Sequence, residues 1–367
     1  MKKLNYLCLQ ATREGQASHA HVHEIIDGLR RRGWEVELFE PRYARSDVLP
    51  GSLGRSFEFL LAQIKFWRKN KGDSILYIRT HFATFPTALL AKLFFLPVVQ
   101  EVNGPYEDLF IAWPWTRRFA FLFKWLIRTQ LKWADSIIVV TDRLREWILQ
   151  EVGQKPVFII PNGANINLFH PEAVSKYEIP MPYAVFFGAL APWQGINTLI
   201  EAVNLSKWPE RVKLLIVGDG IERSKVEEAS KYNPRIIYLG KIPYQEVPGI
   251  VANSIAGLSP QNNIGGRSNM GLFPLKLFET LACGVPIIVT DFSGQADLVR
   301  KHNIGLVIPP DDPKALVEAI TFLYNNPSQR EAMGRRGREV VEREHSWDKR
   351  AADTEAVLIG VLKGVNK

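Results

Sequence analysis

Lys276 and Glu279, within the stretch Gly271–Pro286, have the residue types and the spacing that suggest chemistry most clearly. Pro274 suits the first turn of a helix and Gly284 its end, and residues three apart on a helix share one face. The start of a helix attracts anions through its unpaired N–H groups and its dipole. We therefore predict that Lys276 binds a diphosphate and that Glu279 binds ribose hydroxyls. The alternative is an exposed lysine–glutamate pair without a binding role.

Two glycine-containing loops precede this stretch. Arg267 lies in Asn262–Asn269, which could close on a ligand and bring a second cation to the phosphates, or could be an ordinary mobile surface loop. The triplet Gly218-Asp219-Gly220 begins like the dinucleotide fingerprint, but Arg223 stands where the third glycine belongs. A tight turn beside a nucleotide base is therefore favoured over a nicotinamide site.

In the first half of the chain, polar residues follow predicted strands and could line the same site. The backbone of Gly15 lies in a loop before a helix, where it could approach the phosphates of a nucleotide substrate or a second substrate. Asn103, in the stretch Glu101–Pro105, could bind substrate hydroxyls as a catalytic group, or could simply turn the chain. Arg79 and His81 follow another strand and have the same two interpretations.

A run of aromatic and basic residues predicts contact with an acceptor or with an anionic bilayer, whose surface suits both residue types. The alternative is a core helix with a solvated basic edge, in which half or more of the aromatic side chains are buried. The basic residues are Arg117, Arg118, Lys124, Arg128 and Lys132, and the aromatic residues are Trp113, Trp115, Phe119, Phe121 and Trp125.

Strand-like apolar runs alternate with helical patterns along nearly the whole chain, which indicates parallel sheets covered by helices on both faces. A helix from the N-cap Ser18 to Arg32 follows the first strand, and a helical pattern also covers Trp347–Val365. The predicted strands are Leu4–Leu9, Trp34–Phe39, Ser74–Ile78, Pro97–Val102, Ser136–Val140, Val157–Ile160, Tyr183–Phe187, Val212–Val217, Ile236–Leu239, Ile255–Leu258, Pro286–Val289 and Gly305–Val307.

A chain of 367 residues is too long for one ordinary core, so we predict two Rossmann-like doubly wound domains that face a central cleft. The polar, proline-rich segment 169–182 suits the connection between them. The expected domains are residues 1–168, on the side of the second substrate (the acceptor), and residues 169–349, which bind the nucleotide-containing substrate (the donor). A helix at 350–367 is expected to pack back on the first domain.

Composition restricts the class of protein. Hydrophobic residues make up 46% of the chain and charged residues 23%, as in globular proteins. The two cysteines provide neither a disulfide framework nor a zinc site. The N-terminus reads as a strand rather than a signal peptide, and no apolar stretch is long enough to span a bilayer. The expected location is cytoplasmic, peripheral at the inner face of the membrane. The net charge of +8 suits anionic lipid or a phosphorylated substrate, and no nucleic-acid module is visible.

The donor-helix stretch closely resembles that of family 4 of the retaining GT-B glycosyltransferases, and the similarity extends from about Leu4 to Trp347. Other segments resemble the family in the same order along the chain. These are Ile160–Asn165, Phe169–Pro171, Phe187–Gly195, Val217–Gly220 and Tyr238–Gly240.

The resemblance implies a retaining, hexosyltransferase-like enzyme that moves a sugar from a nucleoside diphosphate to an acceptor hydroxyl. The acceptor would be a lipid-linked or cell-surface glycan intermediate. No cofactor and no essential metal are implied, and the sequence has no Asp-x-Asp triplet. Lys276 is expected to act in catalysis by stabilising the leaving diphosphate. Further donor-binding positions are Gly188, Gln194, Gly218, Gly271, Leu272, Phe273 and Leu277.

The chain departs from the family pattern at two places. Relatives often have a second glutamate that lies eight positions before the one matched by Glu279, and here that position is Gly271. Many relatives also have arginine and lysine where this chain has Ala189 and Gln194. Both departures favour one alternative, a non-catalytic protein that binds sugar nucleotides. A sugar-nucleotide epimerase of the same fold also stays open, although Gly271 removes one of the acid/base carboxylates that it would need.

Overall fold

The structure is a computed structural model that describes residues 2–13, 17–46, 48–70, 72–264 and 266–365, with the backbone alone at 112, 267 and 365. The chain divides into two compact units. Unit 1 comprises Met1–Pro161 with Asp348–Lys367, and unit 2 comprises Asn162–Trp347. Each unit contains a six-stranded parallel sheet with helices along it, so the predicted Rossmann-like architecture is confirmed.

In unit 1 the strand order is β2-β1-β3-β4-β5-β6, and every neighbouring pair is parallel. The central strands are mostly apolar and are buried along their whole length, as a helix-covered sheet requires. The strands are β1 (Lys2–Cys8), β2 (Trp34–Phe39), β3 (Ile75–Arg79), β4 (Val98–Val102), β5 (Ser136–Val139) and β6 (Val157–Ile159). The helices are α1 (Ala17–Arg31), α2 (Ser52–Lys69), α3 (Phe85–Leu93), α4 (Glu107–Ala112), α5 (Ala120–Trp133) and α6 (Asp142–Val152).

In unit 2 the strand order is β12-β11-β10-β7-β8-β9, which is the Rossmann order when strands are counted within the unit. Alternate residues of β7 enter two apolar clusters, one on each face of the sheet. The strands are β7 (Tyr183–Phe187), β8 (Lys213–Val217), β9 (Ile236–Gly240), β10 (Ala256–Ser259), β11 (Ile287–Thr290) and β12 (Gly305–Ile308). The helices are α7 (Ile196–Asn204), α8 (Arg223–Tyr232), α9 (Val247–Ala252), α10 (Leu275–Ala282), α11 (Gln295–His302), α12 (Pro313–Asn325) and α13 (Pro327–Glu344).

Unit 2 begins at Asn162 rather than at residue 169, because the intervening residues bond within it. The Nδ2 of Asn162 donates to the carbonyl of Phe273 at 2.7 Å, and Ala164 forms a bridge with Ser346. The last helix, α14 (Trp347–Val365), begins at the other end of unit 2. The part of this helix that belongs to unit 1 was predicted to begin at residue 350, but it begins at Asp348.

Two local predictions were wrong. Ser18 is not an N-cap, because α1 already begins at Ala17, and its hydroxyl donates to the carbonyl of Ala11 at 3.1 Å. Pro274 is not in the first turn of α10 but caps it, with an extended backbone at ψ 145°. Within the described residues, no helix has the length and apolar character needed to cross a membrane.

Glu355 attaches α14 to the start of the unit 1 sheet. Its carboxylate, 13% exposed, accepts from the indole of Trp34 at 3.0 Å, from Arg32 at 2.6 Å and from Lys2 at 3.1 Å. The Trp34 hydrogen bond and the two cations outweigh partial burial and lower the pKa of Glu355 to about 2. The ionised carboxylate is therefore the form that stabilises unit 1.

We expect Glu355→Gln to lower the free energy of unfolding by about 1–2 kcal/mol at neutral pH, because charge-assisted hydrogen bonds are lost. A carboxylate with a lowered pKa stabilises the fold above its unfolded pKa, near 4.3, and loses that effect as the pH falls toward about 2. Urea unfolding should therefore separate the two proteins at about pH 7 and bring them together in acid. The control is Asp348→Asn, on the same helix as Glu355. It removes an exposed ion pair with Arg31 of α1 and should change the free energy of unfolding little. An equal loss in both variants would contradict the prediction.

Candidate functional site

The helix α10 starts beside the topological switch point of unit 2. Strands β7 and β10 are neighbours at the middle of the sheet, and the chain leaves them toward opposite sides. Ligands of doubly wound sheets bind in the crevice that forms there, at the carboxyl ends of the strands. The loop 188–195 follows β7, and the loop 260–274 leads from β10 into α10.

Lys276 is buried in the first turn of α10, with 7% of the residue exposed. Its Nζ donates to the Oε1 of Gln194 at 2.9 Å and lies 3.7 Å from the ring centroid of Phe186. Burial lowers the pKa of Lys276 to about 7, although the charge of Glu279 acts in the opposite direction. An anion next to Nζ would favour the protonated amine, so this position suits a phosphate.

Glu279 lies one turn further along α10 and is also buried, with 4% of the residue exposed. Its Oε1 accepts from the hydroxyl of Tyr244 at 2.6 Å. The predicted Lys276–Glu279 pair is thus held inside the protein, and the alternative of an exposed surface pair is wrong. A carboxylate accepts several hydrogen bonds at once, so Glu279 can bind hydroxyl groups in addition to Tyr244.

The backbones after β7 and β8 approach each other closely at Gly188 and Gly218. Both have positive φ, 126° and 140°, and a Cβ at Gly218 would overlap the carbonyl oxygen of Gly188. A Cβ at Gly188 would lie 3.6 Å from the Nζ of Lys276. Tyr238 donates its hydroxyl hydrogen to the carbonyl of Gly218 at 3.0 Å. The two glycines therefore permit a narrow backbone surface next to the lysine.

Four backbone groups of the segment before and within α10 are already engaged. The N–H of Gly271 donates to Ser268 at 3.2 Å, and that of Leu272 donates to Ser293 at 2.8 Å. The carbonyl of Phe273 accepts from Asn162. Leu277 is a core residue and not a ligand contact, because its side chain is fully buried and its N–H donates to Pro274.

Two predicted donor-binding residues have no described side chain or position. Gly15 lies outside the described residues. Arg267 begins a 3-10 turn, Arg267–Met270, and only its backbone is described. Across the described ranges, no group of three or more histidine, cysteine, aspartate or glutamate side chains could hold a metal ion.

Asn103 in unit 1 belongs to a hydrogen-bond network around Glu101, a residue that is 1% exposed. The Oε1 of Glu101 accepts from Asn103 and Arg79 and lies 3.2 Å from the Nε2 of His21. Its Oε2 accepts from two tyrosine hydroxyls, at 2.9 Å from Tyr6 and at 2.8 Å from Tyr77. Burial alone would raise the pKa of Glu101, but His21 and Arg79 hold it well below the usual range. The carboxylate is therefore ionised.

His81 has a structural role. Its Nδ1 accepts from the N–H of Ala83 at 3.2 Å and so caps the turn that follows β3. Its ring contacts the aromatic rings of Phe59 and Phe82, and burial lowers the pKa of His81 to about 4. The imidazole is thus neutral and fixed, whereas Arg79 belongs to the network around Glu101.

The aromatic run is exposed rather than core, against the expectation that half or more of it would be buried. Trp113, Trp115, Phe119, Phe121 and Trp125 are all exposed and are called the aromatic surface below; among the neighbouring aromatic side chains, Phe123 is buried. Arg117 and Arg118 are exposed beside these residues.

Two of the predicted basic residues are already paired. Arg128 forms an ion pair with Glu151, and Lys124 lies 3.7 Å from Glu107. Because their charges are partly neutralised within unit 1, Arg128 and Lys124 are less suited to an anionic partner than was predicted. The exposed cations Arg117 and Arg118 fit that role better.

The sequence interpretation missed Tyr244, the role of Gln194 as a partner of Lys276, and the centre of the unit 1 network at Glu101. Tyr244 had no signal, because it lies in a turn 35 residues from its partner. Glu101 had one: it is a charged residue near the end of β4, a strand that is buried along its whole length, where a carboxylate must find partners.

Comparison with known proteins covers both units. Residues 18–168 match the family described as Glycosyltransferase Family 4, and residues 173–340 match Glycosyl transferases group 1. A phosphatidyl-myo-inositol mannosyltransferase of Mycobacterium leprae is 26% identical over 352 residues, 89% of this chain and 88% of that protein. A GDP-mannose-dependent monoacylated alpha-(1-6)-phosphatidylinositol monomannoside mannosyltransferase of Corynebacterium glutamicum is 29% identical over 53% of this chain and 54% of that protein.

Solved structures agree on the fold. A sucrose-phosphate synthase from Thermosynechococcus elongatus superposes with a TM-score of 0.80 at 18% identity, over 99% of this chain and 100% of that one. The structure of Anabaena HepE in complex with UDP superposes with a TM-score of 0.72 at 17% identity, over 98% of this chain and 100% of that one. Because both family matches and the mycobacterial relative span most of the sequence, the chain belongs to the family 4 glycosyltransferases of the GT-B type, enzymes that transfer sugars.

Proposed function

We propose that this enzyme is a retaining glycosyltransferase that moves a hexose from a nucleoside diphosphate to a hydroxyl of a lipid-linked or cell-surface glycan intermediate. The observation that carries the proposal is the buried pair Lys276 and Glu279 on α10, at the switch point of a Rossmann-ordered sheet. Support for a hexose and a lipid acceptor comes from two relatives named as mannosyltransferases of phosphatidylinositol lipids.

In the proposed complex, α10 binds the donor. The first turn of a helix has N–H groups without intrahelical acceptors, and these together with the helix dipole favour the diphosphate. Lys276 supplies the cation, and Gln194 orients its Nζ through their hydrogen bond. Glu279, oriented by Tyr244, accepts hydrogen bonds from the ribose hydroxyls. Gly188 allows the phosphates close to the backbone beside Lys276, because it has no Cβ, and Gly218 makes room for the carbonyl of Gly188.

The proposed chemistry is stabilisation of the leaving group. Bond cleavage at the anomeric carbon places negative charge on the departing diphosphate, and a fixed cation at that point lowers the barrier. We propose that Lys276 does this without a metal ion or a further cofactor, and that Asn103 binds a hydroxyl of the reacting sugar. Glu279 acts as an orienting group and not as a nucleophile.

Unit 1 is the proposed membrane-facing part. Among the described residues, 18 of the 22 exposed large hydrophobic side chains belong to unit 1. Several extend the aromatic surface: Leu53, Phe57, Leu60 and Ile64 recur at helical spacing along α2. Arg55 of α2 stacks on Trp113 at 4.6 Å, so the two groups of residues adjoin. Exposed apolar and basic side chains together suit an anionic bilayer at the cytoplasmic face, where a lipid-linked acceptor would be available.

The function is tested by incubating the protein with a panel of nucleotide sugars, with and without a membrane lipid extract. We expect nucleotide release that depends on both the donor and the extract. Glu279→Gln is expected to lower the rate at least about tenfold, because one amide oxygen replaces two carboxylate oxygens at the ribose. Sugar interconversion without an acceptor would indicate an epimerase instead, and donor binding with no reaction would indicate a binding partner.

A matched control separates this effect from loss of a tyrosine–glutamate pair. Glu246 accepts from the hydroxyl of Tyr177 at 2.6 Å, the same distance as in the Tyr244–Glu279 pair, and lies in the same unit. Glu246→Gln should leave the transfer rate unchanged. Equal activity in the Glu279 and Glu246 variants would show that α10 does not bind the donor.

Binding of a nucleoside diphosphate is expected to make Lys276 take up a proton. The pKa of its amine is about 7 in the structure, and a neighbouring diphosphate raises it. Because the complex holds the lysine proton more tightly, the nucleotide binds best below the pKa of the free enzyme. Above that pKa the affinity falls as the pH rises, by at most about tenfold per pH unit. Calorimetry with UDP and GDP at about pH 7 and 9, in buffers of different ionisation enthalpy, measures both effects. Lys276→Met should show no proton uptake, and a wild-type affinity independent of pH would refute the assignment.

The aromatic surface is expected to bind anionic vesicles. Trp113→Ala with Trp115→Ala should lower the partition coefficient onto vesicles roughly 100-fold or more, because each fully buried large apolar side chain contributes about 1.5–3 kcal/mol and about 1.4 kcal/mol is tenfold. Flotation with vesicles of phosphatidylglycerol and phosphatidylcholine measures this. Tyr232→Ala, which removes an exposed aromatic ring from unit 2, is the control and should float like the wild type. Identical flotation of all three proteins would place membrane contact elsewhere.

A further inference from the structure

Glu101 is the centre of a carboxylate network that joins three strands of unit 1 in the carboxyl-terminal part of the sheet. Strands β1 and β3 are neighbours at the point where the chain leaves toward opposite sides, so this edge is the switch point of unit 1. Tyr6 of β1 and both Tyr77 and Arg79 of β3 donate to the carboxylate at the end of β4. The network is therefore built where this fold binds ligands.

The carboxylate of Glu101 has a full set of donors. Each oxygen of a carboxylate accepts about two hydrogen bonds, and here Oε2 has two tyrosine hydroxyls while Oε1 has Arg79, Asn103 and the nearby His21. An ionised carboxylate can accept hydrogen bonds but cannot donate them. Each neighbouring group must consequently turn a hydrogen toward it.

This requirement fixes the orientation of Asn103. A side-chain amide has one NH2 group that donates and one oxygen that accepts, and the two are on opposite sides. Because Nδ2 donates to Glu101, the oxygen Oδ1 points away from the network. Among the described residues no hydrogen bond to that oxygen is found, and Asn103 is only half-buried. Its free polar atom is thus an acceptor at a ligand-binding edge.

We propose that Glu101 is a positioning residue that holds Asn103 with its amide oxygen toward the substrate, as the acceptor for a sugar hydroxyl. The inference rests on the proposed transferase function, since that function supplies a substrate rich in hydroxyl groups. A hydroxyl donates readily to an amide oxygen, whereas a phosphate has no hydrogen to donate when ionised. The recognised group is therefore a hydroxyl, from either the donor sugar or the acceptor.

The test is a double-mutant cycle in transfer activity. We expect Asn103→Ala to lower kcat/KM roughly 10- to 100-fold, because one hydrogen bond to the reacting substrate is lost. Glu101→Gln should have a similar effect, and the double variant should be no worse than Asn103→Ala alone. If the two effects multiply, Glu101 acts independently of Asn103 and the proposal is overturned. A change in KM for the donor assigns the hydroxyl to the donor sugar, and a change in KM for the acceptor assigns it to the acceptor.

Glu355→Gln is the control for stability. Glu355 is another carboxylate of unit 1 with three donors, and its loss should lower the unfolding midpoint without changing kcat/KM. A kinetic loss in this variant would mean that any weakening of unit 1 reduces activity, and the cycle would then argue against a positioning role.

A measurement on the wild-type protein covers the case in which Glu101→Gln fails to fold. In protein labelled with ¹⁵N-asparagine, the side-chain NH2 of Asn103 is identified by its loss in Asn103→Ala. We expect slow hydrogen exchange for this group, because it is bonded to a buried carboxylate; fast exchange overturns the proposal. Absence of transfer with every donor would instead refute the proposed function and the hydroxyl assignment, while the exchange rate would still decide whether Glu101 fixes Asn103.

Discussion

Burial of charge governs both units of this enzyme. A charged group inside a protein must be paired or solvated by hydrogen bonds, since desolvation costs several kcal/mol otherwise. Unit 2 buries Lys276 with Gln194 and Glu279 with Tyr244, and unit 1 buries Glu101 among five donors. Glu101 lies near the end of β4, and Lys276 and Glu279 lie on the helix that follows β10. The helices can cover the faces of each sheet with apolar side chains, but polar loops must meet at its carboxyl edge.

The buried charge of Lys276 in unit 2 is only partly paired, whereas that of Glu101 in unit 1 is fully hydrogen-bonded. Glu101 is surrounded by donors and stays ionised, so its neighbours are fixed. Lys276 has one amide oxygen, an aromatic ring and a more distant carboxylate, and its pKa is lowered to about 7. Incomplete pairing leaves the lysine with unused capacity to bind an anion. We infer that the donors around Glu101 serve to orient a residue, whereas the incomplete pairing of Lys276 prepares a binding site.

The sequence predicts the sheets well and the partners of the site residues poorly. Apolar runs depend on local sequence, and every one of the 12 strands lies within two residues of its predicted position. The spacing of Lys276 and Glu279 on one helix is equally local. Their partners Gln194 and Tyr244 come from other elements, and nothing in local spacing indicates which loops the fold brings together. The aromatic surface was ambiguous for a related reason, because core and membrane-facing helices have similar composition and Phe123 is buried beside exposed neighbours.

The return of α14 to unit 1 has a consequence for how the chain is made. Unit 2 is one continuous stretch, Asn162–Trp347, whereas unit 1 needs residues from both sides of it. During synthesis on the ribosome, unit 2 is therefore complete before the last segment of unit 1 emerges. Until then Glu355 is missing, and Lys2, Arg32 and Trp34 lack its carboxylate as their partner. The half that carries the exposed aromatic surface is thus the last to finish folding.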